Sequence, residues 1–302
     1  MQTTAVLLHL ANLRHWSEFQ SALEKINCSF DLFVNLLQGV NSKHELSRQR
    51  QLILNHYPNA TIIDSPNRGM DVGGMFQLFA LVAPLNYGAL LYAHSKSDDS
   101  WRKAMLEILS GVDAALLEKM RQPDSELGMI GTYAYPFDYF NIRPFLQIAE
   151  SLEINITTSW ESLIKRLPSI AELSIEQRIA WAKKHKNNNI RPEIDLEYAA
   201  MVLGEQSQNT DHQSMQQGLL KRFIADGVLG PLAYFPGNCF WVSGHVISLL
   251  SEKVDFSQEF EKLTADLASD TSQQSRAHAW ERILPVFASK NGLQILPLAR
   301  QK

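Results

Sequence analysis

Four short, nearly continuous apolar runs mark the first third of the chain: Thr4 to Leu10, Phe30 to Leu37, Ala60 to Ile63 and Gly88 to Ala93. A strand with one wet face alternates apolar and polar residues, so runs like these predict strands covered on both faces. Between them the period changes. Trp16, Phe19, Leu23 and Ile26 recur at helical spacing, and Ser47 to Tyr57 is a second helical stretch closed by Pro58 and Asn59. Strand and helix in alternation predict parallel βαβ units, with helices on both faces of the sheet and ligands at the carboxyl ends of the strands. The expected fold class is α/β, Rossmann-like, with a mostly parallel sheet flanked by helices.

The third run delivers Asn67-Arg68-Gly69-Met70-Asp71-Val72-Gly73-Gly74-Met75-Phe76, and a helix is expected over Phe76 to Val82. Strand, glycine loop and helix is the order in which an α/β protein offers backbone N–H groups to an anion such as a diphosphate. Gly69, Gly73 and Gly74 would let a ligand approach the backbone, and Arg68 and Asp71 add one charge of each sign. The same residues also suit a tight βα turn with no ligand, and the spacing is neither the dinucleotide fingerprint nor a Walker loop.

The fourth run leads straight into His94-Ser95-Lys96-Ser97-Asp98-Asp99-Ser100-Trp101-Arg102-Lys103. At a strand tip on the same sheet edge, His94, Lys96 and Arg102 can meet diphosphate charge, while Asp98 and Asp99 can meet a metal ion or a sugar hydroxyl. A solvated turn with acids at a helix start is the ordinary alternative, with Ser100 capping a helix through Leu109 that ends at Gly111.

Leu127 to Thr132 reads as a fifth strand, after which the period turns helical, as in Trp160 to Leu167 and Ile175 to Lys184. Three parts are therefore expected: a ligand-binding α/β half over 1–136, a helical insertion or lid over 137–226, and strands and helices over 227–302 that complete the first part. Lys183, Lys184, His185 and Lys186 suit an anionic surface or a solvated helix end. Leu232 to Val242 is an aromatic strand interrupted by Pro236-Gly237-Asn238, so Asn238 and the Trp241 ring either lie beside a sugar or belong to a bulged core strand. Helices are expected from His245 and over Arg276 to Leu284, with a polar loop at Ser269 to Ser275 between them. The second of these helices carries His278, Glu281 and Arg282 on adjacent turns.

Composition narrows the partners. With 28 basic and 32 acidic residues and no long run of either sign, the chain lacks the basic surface that binds nucleic acid. Cys28 and Cys239 stand alone, which argues against a disulfide framework or a zinc site and fits a reducing cytoplasm. Ala5 to Leu10 is too short for a signal sequence or a membrane span, so a cytoplasmic protein is expected.

Four stretches, NRGMDVGGMF, AHSKSDDSWRKAML, GNCFWV and AHAWERIL, in this order, resemble the rhamnan synthesis F family of bacterial cell-surface polysaccharide biosynthesis proteins, regarded as glycosyltransferases. That family shows an N-R-G-x-D-x-G loop, an H-T-K-K-S strand exit followed by W-R, a G-T-M-F-W strand and a D-G-T-x-x-H-A-x-E-R-L ending. Two departures stand out. Asn238-Cys239 replaces Thr-Met, and Gln273-Gln274-Ser275 stands where the family has Asp-Gly-Thr.

The resemblance implies a glycosyltransferase-A-like fold and transfer of a sugar, with rhamnose or another deoxyhexose the leading candidate, from a nucleotide-sugar donor to a glycan or lipid-linked glycan. Asn67, Arg68, Gly69, Gly73, Gly74, His94, Lys96 and Arg102 would then hold the donor. Trp101, Asn238 and Trp241 would face the acceptor or a sugar. Asp71, Glu281 and His278 are the candidates for chemistry. A divalent ion, Mg or Mn, would have only Asp98 and Asp99 as ligands, and no Asp-x-Asp motif is present. Peripheral association with the inner membrane or with other polysaccharide enzymes is compatible with such an acceptor. A glycosyltransferase-like binding or scaffold protein without turnover is the alternative reading, and a sugar-nucleotide hydrolase or phosphatase using Asp98 and Asp99 is a third.

Overall fold

Every residue of β1 (Thr4–Leu10) is buried, as its apolar run demands. β2 (Phe30–Leu37), β3 (Thr61–Ser65) and β4 (Ala89–His94) follow, with α1 (Trp16–Leu23), α2 (Lys43–His56) and α3 (Met70–Val82) between them. The computed structural model describes residues 3–96, 98–131, 135–136, 142–154, 233–235, 237–263 and 276–297. Beyond β4 come α4 (Asp99–Gly111), α5 (Ala114–Arg121), β5 (Leu127–Gly131), β6 (Tyr135–Pro136), α6 (Ile142–Ser151) and β7 (Ala233–Tyr234). The chain closes with β8 (Phe240–Ser243), α7 (Gly244–Lys253), α8 (Phe256–Glu261), α9 (Arg276–Lys290) and β9 (Gln294–Pro297).

The main sheet has seven strands in the order β3-β2-β1-β4-β8-β5-β9. Its pairs are parallel except at β8, which runs antiparallel to both β4 and β5. The expected α/β class with a mostly parallel, helix-flanked sheet is what the chain forms. Strand order reverses direction between β1 and β4, which makes their carboxyl ends the switch point where ligands bind in such sheets.

The two faces of the sheet are packed differently. One carries Val6, Leu8, Leu10, Val34, Leu91, Ile130 and Trp241 against Trp16, Phe19 and Leu23 of α1, Met105 and Leu109 of α4, and Leu117 and Met120 of α5. The alternate residues, Tyr92 and Phe240 among them, meet an aromatic layer in which Phe76 and Phe79 of α3 pack on Phe256 and Phe76 also packs on Trp280.

Several boundaries differ from expectation for local reasons. α2 starts at Lys43 because Ser42 and Glu45 form a reciprocal capping box. α3 starts at Met70 instead of Phe76, so only Gly69 of the three glycines stands outside the helix. The interruption expected at Pro236-Gly237-Asn238 separates two short strands, β7 and β8, with the turn at Gly237 and Asn238.

Residues Met1–Ala134 and Tyr234–Lys302 form one compact unit and Tyr135–Ala233 a second. The helical insertion or lid expected over 137–226 falls within the second unit. Apart from α6 and the residues up to 154, it lies outside the described residues, as do Lys183 to Lys186 and the loop at Ser269 to Ser275.

Candidate functional site

The sixth residues of β1, β2 and β4 are His9, Asn35 and His94, and register places His9 directly between the other two. All three are buried polar side chains near the carboxyl ends of apolar strands, on the face that meets α3. Asn35 Nδ2 donates to Ser65 Oγ at 2.8 Å and stands 3.2 Å from His9 Nδ1. Burial, with the His94 charge second, pulls the His9 imidazole down to about 4, so His9 is neutral over the physiological range.

Asp71 enters from the first turn of α3. Gly69 at φ 62° and Met70 at φ 54° are both left-handed, and this reversal drops the chain from β3 into the helix. The Asp71 backbone carbonyl is fixed by the Tyr92 hydroxyl, which donates to it. Its Oδ2 accepts from Asn238 Nδ2 at 3.0 Å and lies 3.5 Å from His94 Nε2. Burial alone would raise this carboxyl, but the His94 and Lys96 charges and the Asn238 amide outweigh it and hold it below the usual range.

One turn serves three side chains. Gly237 and Asn238 take φ values of 87° and 51°, a pair that glycine and asparagine tolerate better than other residues. The Gly237 carbonyl stands 2.6 Å from His94 Nε2, which requires a proton on that nitrogen, and the Gly237 N–H donates to Glu281 Oε1 at 2.9 Å. Burial, the largest influence, pushes the Glu281 carboxyl up. The Asp71 charge adds to that shift, while Arg282, the Gly237 N–H and Lys96 act against it. Arg282 Nη1 lies 3.2 Å from Glu281 Oε2.

Two carboxylates in one cluster are thus pushed in opposite directions, the arrangement that separates a permanently ionised group from one able to take up and release a proton. Their side chains are 22% and 14% exposed for Asp71 and Glu281, so both keep an opening to solvent.

The structure brings Asp71, His94, Asn238 and Glu281 together, with Lys96 half-buried and its charge felt by both carboxylates. Other expected site residues are placed elsewhere. Arg102 is buried and donates to Glu18 at 2.7 Å, to Asp99 at 2.9 Å and to the Lys96 carbonyl at 3.0 Å, so its guanidinium is committed within the fold. That contact also takes the Asp99 carboxylate, while Asp98 is exposed and its carbonyl accepts the Arg102 N–H. Arg68 reaches toward α8, donating to the Glu261 and Leu263 carbonyls and lying over the Phe260 ring.

The glycines serve packing. A Cβ on Gly73 would stand 1.8 Å from the Arg68 carbonyl oxygen, one on Gly69 would meet Leu263, and one on Gly74 would meet the His9 ring at 2.3 Å. Trp241 is fully buried on the opposite sheet face, pairing with Leu91 and Ile130, so the bulged-core reading of its strand replaces the sugar-stacking one. Asn67 and His278 are half-buried, and Trp101 falls in the first turn of α4.

Sequence reasoning missed His9, Asn35 and Tyr92. The available signal was a polar residue breaking each of two apolar strands at the same position. Among the described residues no group of three His, Cys, Asp or Glu side chains is placed to hold a metal ion, and no helix is long and apolar enough to cross a membrane. A scan against protein-family models finds no match, and no curated protein matches the chain.

Proposed function

We propose that this protein is a glycosyltransferase of the rhamnan synthesis F type, moving a sugar from a nucleotide-sugar donor to a hydroxyl of a cell-surface glycan. The observation that carries this reading is convergence: the four stretches that suggested the family each contribute to one bonded cluster. Asp71 comes from the glycine segment, His94 from the strand exit, Gly237 and Asn238 from the aromatic strand, and Glu281 from the last helix, and the Lys96 charge acts on both carboxylates.

In this reading Glu281, with its raised affinity for a proton, takes the proton from the acceptor hydroxyl as that oxygen bonds the anomeric carbon. The bond from that carbon to the nucleoside diphosphate breaks at the same time, and the diphosphate leaves with the electron pair. Lys96, whose charge already acts on both carboxylates, would meet the charge of that leaving group. Asp71, ionised and oriented by Asn238, accepts hydrogen bonds from hydroxyls of the donor sugar. A deoxyhexose such as rhamnose is the first donor to try, and a lipid-linked acceptor would bring the protein to the inner face of the membrane.

The test is release of nucleoside diphosphate from a panel of nucleotide sugars, with and without glycan acceptor. Acceptor-dependent release supports transfer, acceptor-independent release supports a hydrolase, and donor binding without release supports a non-catalytic binding protein.

A further inference from the structure

The apolar interior of β1 and β2 is interrupted at His9 and Asn35, where an imidazole and an amide take places that aliphatic groups would fill. Burying such groups costs stability where a bond is left unmade, and here one is: Asn35 Oδ1 is buried with no partner among the described residues. An apolar pair would leave no buried polar atom unpaired, so the row points to a use other than stability.

Its geometry is directional. The Asn35 amide N–H faces His9 Nδ1, which makes that nitrogen the acceptor and leaves the His9 proton on Nε2. Gly74 supplies the room, because any Cβ there would run into His9 Cγ and Nδ1. On its other side His9 is the lateral neighbour of His94, the residue in contact with both Asp71 and the Gly237 carbonyl.

We propose that His9 is a positioning residue: held as one tautomer by Asn35 and confined beneath Gly74, it sets the orientation of His94, and through His94 that of Asp71 and the Gly237 turn. The inference rests on the glycosyl-transfer reading only for its kinetic consequence. A His9 that merely filled space would be replaceable by an apolar residue of similar size.

The first measurement needs no substrate. Long-range 15N–1H correlation spectra of the histidine side chains in the full-length protein report the tautomer of His9 and the tautomer and titration of His94. His9 is expected as Nε2–H, and the His94 signals are expected to move in His9→Leu and in Asn35→Leu.

The second is steady-state transfer. In the folded His9→Leu variant kcat is expected to fall about 10- to 100-fold with donor KM little changed, the scale of a misplaced reacting group. His9→Gln, which keeps a side-chain N–H, is expected to recover part of that loss. Unmoved His94 signals in His9→Leu, or native turnover by that variant, would overturn the proposal. If His9→Leu does not fold, Asn35→Leu and Ser65→Ala ask the same question without altering His9. If the native protein transfers no sugar, the transfer reading fails, and the His94 spectra still decide whether His9 positions it.

Discussion

Glu259 is a buried acid and Asp71 and Glu281 are half-buried ones, and the two groups are satisfied in contrasting ways. Glu259 accepts from Lys262 at 2.7 Å, from Arg276 at 2.9 and 2.7 Å, and from the Trp280 indole at 3.0 Å. Burial would raise its carboxyl, but these donors outweigh it and hold it low. Two cations and an indole close both oxygens and tie α8 to α9, so the group is a structural fastener. Asp71 and Glu281 are held by an amide side chain and a backbone N–H on either side of one turn, with a single guanidinium, Arg282, 3.2 Å from Glu281 and the His94 ring 3.5 Å from Asp71. A saturated acid stabilises a fold; two acids lightly held and unequally tuned are suited to a ligand and a proton.

The largest effect expected from this contrast is on rate. Under the proposed transfer reading, Glu281→Gln and Asp71→Asn should each lower transfer by about 10²- to 10⁴-fold, the usual range for losing a general base or an equivalent contact, with little change in melting temperature. Because the Glu281 carboxyl is raised, the acid limb of the native pH–rate profile should lie above the ordinary glutamate range. Full transfer rates in both variants would place the base elsewhere and dissolve the contrast.

Glu259→Ala should act the other way round, costing about 3–5 kcal/mol in denaturant unfolding, because it leaves Arg276 and the Trp280 indole N–H without their acceptor. Activity per folded molecule should be retained. A loss below about 1 kcal/mol would mean that the fastener contributes no more than a surface pair.

Next is a pH effect from His9. Its imidazole lies near 4 in the folded chain against an ordinary 6.5, so the unfolded chain binds the proton more readily within that window. Stability is therefore full above about 6.5 and falls by about 3 kcal/mol as pH drops through 4. His9→Gln should flatten that slope in urea titrations at several pH values. The smallest effect belongs to the Arg50–Asp64 pair, 2.9 Å apart and part-exposed, where Arg50→Ala should cost less than about 1 kcal/mol by thermal melting.

Much of this architecture could be read from periodicity. β1 and β2 run over the residues their apolar patterns mark, because a strand covered on both faces has no polar alternative. Site residues were legible where a polar group followed a strand, as with His94, or broke a strand at a turn, as with Asn238. What could not be read was commitment. Arg102 resembles a free cation until Glu18, 84 residues earlier, is placed beside it, and Arg68 until α8 packs against α3. Charge is visible in a sequence, but the partner that neutralises it is set by tertiary packing. Trp241 shows the same limit, since alternation alone does not say which face of a strand carries the site.

The position of β8 has a consequence for how the chain is made. It is synthesised after β5 yet lies between β4 and β5, so neither of those edges is paired on that side until it arrives. About 100 residues separate the end of β5 from β8, and at about 5–20 residues per second a ribosome needs roughly 5–20 s to supply them. During that interval β4 carries one open edge and β5, whose other neighbour β9 is made later still, carries two, the surfaces through which unfinished sheets pair with their neighbours on a polysome.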